Sequence, residues 1–317
     1  MPADETTTAA GPGPRERLRD VPREPGAPKP DPILVADRVV RQFGGLTAVD
    51  VEHVEIQRGV ITALIGPNGA GKTTFFNLLT GFDKPQSGDW SFNGTSLCGV
   101  PAYRVARMGM IRTFQLTKVL GKLSVLENMR LGATQQRGER FLGGLLGTWR
   151  SQEQGITEKA DALLERFLLI KKRADLAGEL SGGQRKLLEM ARALMADPEL
   201  VMLDEPMAGV NPALKQSLLG HVKSLRDEGR TVLFVEHDMD MVRDISDWVI
   251  VMAQGKVIAE GPPDSVMSDT RVIDAYLGSH HDQDLSEEVA EQIHAAALEE
   301  AEHEERPVEP DADGATR

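Results

Sequence analysis

The stretch Leu64–Thr74, with the sequence Leu-Ile-Gly-Pro-Asn-Gly-Ala-Gly-Lys-Thr-Thr, constrains the fold of this chain more than any other part. It fits the pattern G-x-x-x-x-G-K-[ST]. The run Ile61–Ile65 is apolar and rich in β-branched residues, which predicts a buried strand. Phe75–Thr80 predicts a helix that ends at Gly81. A strand, a glycine-rich turn and a helix start are the parts that a phosphate-binding loop requires.

The backbone of this turn predicts a binding site for phosphate. Glycines let the chain curl so that successive N–H groups point at one anion, and the helix N-terminus adds partial positive charge. Lys72 would reach the β- and γ-phosphates, and the Thr73 hydroxyl would hold Mg²⁺. The alternative, a glycine-rich turn without a ligand, is disfavoured by the flanking strand and helix. The candidate ATP-binding residues here are Gly66, Pro67, Asn68, Gly69, Ala70, Gly71, Lys72, Thr73 and Thr74.

Length and composition limit the class of protein. The chain has 317 residues, of which 40% are hydrophobic, so a sizeable core is possible. Its single cysteine, Cys98, allows no internal disulfide and suits a reducing cytoplasm. No apolar run is long enough to cross a bilayer, and the first thirty residues lack the apolar core of a signal peptide. We therefore expect a cytosolic chain whose membrane role would come through a partner.

The acidity of the chain is concentrated at its C-terminal end. The net charge is −13, and residues 279–317 hold 2 basic and 13 acidic residues. Residues 1–32 hold 5 basic and 6 acidic residues, which leaves 29 basic and 30 acidic residues in the body of the chain. A nearly neutral body argues against nucleic-acid binding.

These compositional shifts divide the chain into three parts. Residues 1–32 contain eight of the 18 prolines and are predicted to be a disordered extension. The body, residues 33–278, should hold an antiparallel sheet beside the nucleotide core and a mostly helical region over 124–195, interrupted by a loop at 137–156. Residues 279–317 form an acidic tail, in which 284–305 predict either a solvated, partly formed helix or a docking helix.

Two further features are candidates for nucleotide contacts. Phe43, at the end of the first predicted strand, would stack on an adenine, or would be an ordinary core phenylalanine. Ser181 precedes two glycines and a long helix, which makes a second anion-binding helix start or a simple N-cap. The candidate residues of this second site are Ser181, Gly182, Gly183 and Gln184.

Polar residues at strand ends supply the candidates for catalysis and metal binding. Asp204 and Glu205 end an apolar strand, where one carboxylate would hold Mg²⁺ and the other would polarise a water. His237 follows the strand Thr231–Val235 and would contact a γ-phosphate, or would be structural. Gln115 follows a predicted strand and would meet Mg²⁺ and water, or would be a solvated loop residue.

Five of these elements, in this order, resemble the ATP-binding subunits of ABC transporters over residues 33–278. The resemblance implies an α/β P-loop NTPase core, an antiparallel β subdomain and a helical subdomain at about 116–197. It also implies a head-to-tail pair of ATPase domains with two ATP molecules between them. Glu205 would be the general base, His237 the γ-phosphate switch, and Gln115 the link between Mg²⁺ and the membrane partner. The five elements are Gly66–Thr73, Gln115, Leu180–Gln184, Leu203–Glu205 and His237.

Short sequence motifs, such as Arg41–Leu46 and Arg112–Gln115, resemble those of the branched-chain amino-acid branch of that family. This implies an ATP-hydrolysing importer subunit at the cytoplasmic face of the membrane. Its partners would be a second, different ATPase, two permease subunits and, indirectly, an extracytoplasmic substrate-binding protein. Two departures, Asn211 where most ABC proteins carry Asp and Val210 where leucine is usual, touch no hydrolytic residue.

Other functions remain open at the level of sequence. The transported substrate could be branched-chain amino acids, urea or short amides, or a lipid-like molecule. A soluble ABC-type ATPase acting on ribosomes or DNA would need two ATPase domains or long coiled coils, and the sequence shows neither. An ATP-dependent regulatory or scaffolding protein could use the acidic tail.

Overall fold

The computed structural model describes residues 13–113, 119–134 and 149–277. Its strands, in chain order, are β1 (Pro32–Phe43), β2 (Leu46–Gln57), β3 (Ile61–Ile65), β4 (Ser87–Phe92), β5 (Thr95–Ser96), β6 (Met110–Arg112), β7 (Leu200–Asp204), β8 (Thr231–Val235), β9 (Trp248–Ala253) and β10 (Lys256–Gly261). Its helices are α1 (Pro14–Arg17), α2 (Lys72–Leu79), α3 (Ala102–Arg107), α4 (Val125–Leu131), α5 (Trp149–Arg166), α6 (Gly182–Leu194), α7 (Pro212–Asp227), α8 (Met239–Ile245), α9 (Pro263–Met267) and α10 (270–277).

One sheet is antiparallel, with the strand order β2-β1-β4-β5. β1 and β2 form a long hairpin in which Phe43 pairs with Leu46 across the turn. The buried side chains of β1 include Leu34, Ala36 and Val39, and they pack into a core shared with the P-loop helix α2. The antiparallel sheet predicted beside the nucleotide core is therefore confirmed.

The other sheet positions the site. Its order is β10-β9-β3-β8-β7-β6, and every neighbouring pair is parallel except β9 and β10. All five residues of β3, of β7 and of β8 are buried, as expected for central parallel strands covered on both faces. Val235 pairs with both Leu64 and Asp204, so the carboxyl ends of these three strands meet at one edge. The predicted α/β core is thereby confirmed.

The helical region differs from its prediction at one boundary. A loop was expected over 137–156, but α5 begins at Trp149; residues 135–148 lie outside the described part of the chain. The first turns of α5 are too polar to show apolar periodicity, yet glutamine and glutamate favour helix. Gln154 also donates a hydrogen bond to Glu158 one turn later, with Nε2 and Oε1 3.0 Å apart.

The predicted disorder of residues 1–32 is wrong for residues 13–31, which pack on the body of the protein. Leu18, Val21 and Ala27 are buried. The side chain of Lys29 is fully buried and pairs with Glu260 of β10. The proline-rich composition predicted disorder, but a few buried side chains and this ion pair anchor the segment. Residues 1–12 and 278–317, which include the acidic tail, lie outside the described residues. Within the described residues, no helix has the length and apolar character needed to cross a membrane.

Candidate nucleotide-binding site

The loop between β3 and α2 can be built only with glycine at two positions. Gly66 has φ of 149°, and a Cβ there would lie 2.0 Å from the carbonyl oxygen of Met252. Gly71, the N-cap of α2, has φ of 98°, and its Cβ would lie 2.2 Å from the carbonyl oxygen of Ala48. Any side chain at either position would collide with backbone, so the tight turn depends on these glycines.

Lys72 is the first residue of α2, and its side chain folds back over the loop. Its Nζ donates to the carbonyl oxygens of Gly66, at 2.7 Å, and Pro67, at 2.9 Å. Burial lowers the pKa of Lys72, while the nearby carboxylates of Glu205 and Asp204 oppose that shift. The structure therefore brings together the cation of the loop and the two carboxylates at the carboxyl end of β7. Thr73 is exposed on the first turn of α2, where its hydroxyl is accessible.

The carboxyl end of β7 carries two carboxylates with different surroundings. Asp204 is buried, and its Oδ2 accepts a hydrogen bond from Nη2 of Arg112 at 2.6 Å. Glu205 has φ of 46°, in the left-handed region, and its N–H donates to the carbonyl oxygen of Val235. Lys186 of α6 donates to the carbonyl oxygens of Glu205 and of the residues after it. Sequence reasoning missed Arg112 and Lys186, although Arg112 lies in a string that carried the family resemblance.

Two residues follow β8 at the same edge. Glu236 is buried, and its Oε1 accepts a hydrogen bond from the N–H of Met207 at 3.1 Å. Burial raises the pKa of the Glu236 carboxyl. His237 has a side chain that is 68% exposed, and it lines an open groove of about 730 Å³ together with Gly66, Pro67 and Asn68. The structure thus places the exposed ring of His237 beside the P-loop, with its Nδ1 3.8 Å from Oε2 of Glu236.

Phe43 lies at the end of β1 and is exposed, so the alternative interpretation as a core phenylalanine is wrong. The guanidinium of Arg41 lies 4.4 Å from the centre of its ring. An exposed aromatic face next to a cation is compatible with stacking on a base.

The second predicted helix start is an N-cap whose hydrogen bonds are local. Ser181 Oγ accepts from the N–H of Gln184, and Gln184 Oε1 accepts from the N–H of Ser181. Gly183 packs closely against α7. A Cβ at this position would lie 2.0 Å from a methyl carbon of Leu214. Across the described ranges, Ser181 makes no hydrogen bond to the P-loop. Within the part of the chain that the structure describes, no hydrogen bond therefore connects the two predicted anion sites. Gln115 lies outside the described residues.

The fold and the loop agree with known proteins. The sequence profile described as "ABC transporter" matches residues 50–208. A probable branched-chain amino acid transport ATP-binding protein, LivG of Archaeoglobus fulgidus, is 41% identical over 247 residues, which cover 78% of this chain and 96% of that protein. The chain belongs to the ABC transporter family. It is an ATP-hydrolysing member, and its two sheets and helical region have the architecture of ABC ATPases.

Three further similarities extend this comparison. The high-affinity branched-chain amino acid transport ATP-binding protein BraF of Pseudomonas aeruginosa is 39% identical over 250 residues, 78% of this chain and 98% of that protein. The crystal structure of MJ1267 in its ADP conformation, an ATP-binding cassette of an ABC transporter, has a TM-score of 0.67 and 36% identity, covering 78% of this chain and 99% of that one. A second profile, "Branched-chain amino acid ATP-binding cassette transporter", matches residues 256–282.

Proposed function

We propose that this protein is the ATP-hydrolysing subunit of an importer for branched-chain amino acids. The observation that supports the substrate class is the match of residues 256–282 to the profile described as "Branched-chain amino acid ATP-binding cassette transporter". The names of the similar proteins agree with it. The subunit would act at the cytoplasmic face of the membrane, with two permease subunits, a second and different ATPase, and an extracytoplasmic substrate-binding protein that it meets only indirectly.

Within this function, the P-loop binds the phosphates of ATP. The backbone N–H groups between Gly66 and Thr74 surround the phosphates, and Lys72 exchanges its two carbonyl partners for phosphate oxygens. This exchange is favourable because phosphate oxygens carry negative charge, so they attract the ammonium more strongly than neutral carbonyl oxygens do. Phe43 stacks on the adenine.

The residues at the sheet edge suit Mg²⁺ and the attack of water. The hydroxyl of Thr73 and the carboxylate of Asp204 are hard oxygen donors, the type that Mg²⁺ prefers alongside nucleotide phosphates. When bound, Mg²⁺ neutralises charge on the phosphates. Glu205 accepts a proton from the attacking water, and His237 donates a hydrogen bond to the γ-phosphate. Gln115 connects this edge to the permease.

The complete site needs a second ATPase subunit. Ser181, Gly182, Gly183 and Gln184 contact the γ-phosphate that the P-loop of the other subunit holds. This proposal is supported by the local hydrogen bonding of Ser181, which leaves it unconnected to the P-loop of its own chain within the described residues. The exposed start of α6 is accordingly available to a partner.

Uptake by reconstituted vesicles tests the proposal. The full-length chain is assembled with its second ATPase and permease subunits, and vesicles receive the binding protein and radiolabelled leucine, urea or a lipid-like solute. We expect ATP-dependent accumulation of leucine and none with Glu205→Gln. Accumulation of urea or lipid instead would contradict the substrate class. Recovery of ribosomes rather than permease subunits with the tagged protein would contradict an importer altogether.

A further inference from the structure

Arg112, the last residue of β6, has a side chain that is only 4% exposed. Its Nη1 donates to Oδ1 of Asn77 and its Nη2 donates to Oδ2 of Asp204, each at 2.6 Å. The guanidinium carbon lies 5.5 Å from the centre of the Phe76 ring. One planar group is therefore held by two short hydrogen bonds and an aromatic face.

These contacts join three elements of the proposed magnesium site. Asn77 lies on α2, the helix whose first turn carries Thr73. Asp204 ends β7, and Arg112 itself ends the strand that leads towards Gln115. Thr73 and Asp204, two of the residues expected to face Mg²⁺, thus come from elements that Arg112 connects.

A purely electrostatic role would be unfavourable for metal binding. The cation of Arg112 lies beside the carboxylate of Asp204 and would repel a second cation at the same carboxylate. A guanidinium offers a rigid fork of donors, however, and this fixes the orientation of its acceptors as well as compensating their charge. The two short bonds point to orientation as the useful effect.

We propose that Arg112 is a positioning residue, which orients the Asp204 carboxylate for Mg²⁺ and ties it to α2 through Asn77. The inference rests on the proposed magnesium-binding roles of Thr73 and Asp204. It explains why a buried arginine, rather than an apolar residue, occupies an edge strand next to the carboxylate. Removal of an outer partner of a metal ligand typically lowers metal affinity or activity about 10- to 100-fold.

The test compares Arg112→Met, Arg112→Lys and Asn77→Leu in the full-length chain. ATP affinity is measured with EDTA and with Mg²⁺, and Mn²⁺ affinity is measured by electron paramagnetic resonance with a non-hydrolysable ATP analogue. We expect ATP affinity in EDTA to stay near that of the wild type and Mn²⁺ affinity to fall about 10- to 100-fold for Arg112→Met. Arg112→Lys should also lose much of the Mn²⁺ affinity, because an ammonium cannot reproduce the rigid fork of donors that a guanidinium offers.

Asn77→Leu keeps the pair with Asp204 but removes the tether to α2, so its Mn²⁺ affinity should fall by an intermediate amount. The matched control is Arg166→Met, which removes a half-buried arginine far along the chain from these elements and its bond to Glu228. It should leave Mn²⁺ affinity unchanged. If Arg112→Met does not fold, Arg112→Lys and Asn77→Leu decide the question alone.

Each of three outcomes would overturn either the positioning role of Arg112 or the proposed magnesium site, and the outcomes can be told apart. Unchanged Mn²⁺ affinity in all three variants would make Arg112 a structural residue only. Tighter Mn²⁺ binding in Arg112→Met would show that its charge opposes the metal without a positioning benefit. A wild-type chain whose ATP affinity Mg²⁺ does not raise would instead contradict the proposed metal site itself.

Discussion

Lys29→Met should destabilise the protein strongly, because it breaks a fully buried ion pair. Lys29 Nζ lies 3.1 Å from Oε2 of Glu260, donates to the carbonyl oxygen of Ala27 at 2.6 Å, and lies 4.9 Å from the centre of the Trp248 ring. Burial lowers the pKa of Lys29, and the carboxylate of Glu260 opposes that shift. The pair as a whole therefore contributes little net stability, but removing one partner leaves a buried charge.

The expected loss of stability follows from this difference between an intact buried pair and a single buried charge. Glu260 keeps two donors, the N–H of Ala27 at 2.7 Å and Nε1 of Trp248 at 3.1 Å, but no countercharge among the residues that the structure describes. Breaking a buried pair in this way costs about 3 to 5 kcal/mol. For a domain of this size that corresponds to a fall in melting temperature of about 6 to 20 °C.

Thermal unfolding followed by circular dichroism provides the measurement, with two companion variants. Lys223→Met, which removes an exposed partner of Asp244, is the matched control and should lose no more than about 1 kcal/mol. The double variant Lys29→Met with Glu260→Gln removes both charges and should recover more than half of the loss, since an amide needs no countercharge. A melting temperature for Lys29→Met equal to that of the control would refute the large cost assigned to breaking this buried pair.

Three further predictions concern the site. Lys72→Ala should weaken ATP binding and abolish turnover in the assembled transporter, measured by phosphate release; wild-type rates would contradict its role. Glu205→Gln should bind ATP normally but lose about 10² to 10⁴ in hydrolysis rate, and unchanged steady-state turnover would identify another base. Burial raises the pKa of the Glu236 carboxyl in the folded protein above its ordinary value of 4.5. Protonated Glu236 therefore stabilises the fold fully below pH 4.5, and this contribution is lost as the pH rises through the pKa of the folded protein. The melting temperature of Glu236→Gln relative to the wild type should therefore rise from pH 4 to pH 7.5, and a constant difference would show that the carboxyl is not perturbed.

The parts of the site that sequence reasoning predicted are those set by local patterns. The buried strand Ile61–Ile65, the glycine turn and α2 follow from periodicity and from the conformations that only glycine adopts. The carboxylates after β7 and His237 after β8 follow from strand ends, which parallel pairing brings to one edge. Their roles towards ATP and Mg²⁺ stay predictions.

What sequence reasoning missed depends on contacts between distant residues. Lys29 and Glu260 are 231 positions apart, and Arg112 and Asp204 are 92 positions apart. Such pairs leave no periodic signal, and a proline-rich composition masks the few side chains that anchor an extension. The exposure of Phe43 was likewise undecided, because a strand-end aromatic can face either the core or the solvent.

Glu205 shows how distant contacts also support the backbone of the proposed general base. A φ of 46° is disfavoured for a residue with a side chain, at a cost of about 1 to 3 kcal/mol. The N–H of Glu205 donates to Val235 on β8, and Lys186 of α6 reaches the carbonyl oxygens of Glu205, at 3.4 Å, of Pro206, at 3.2 Å, and of Ala208. The bond to Glu205 itself is long, so the turn is held by the set of bonds rather than by any one of them. The N–H of Ala208 also donates to the carbonyl oxygen of Glu205, at 3.2 Å, so bonds within the turn and bonds from α6 and β8 together maintain this conformation.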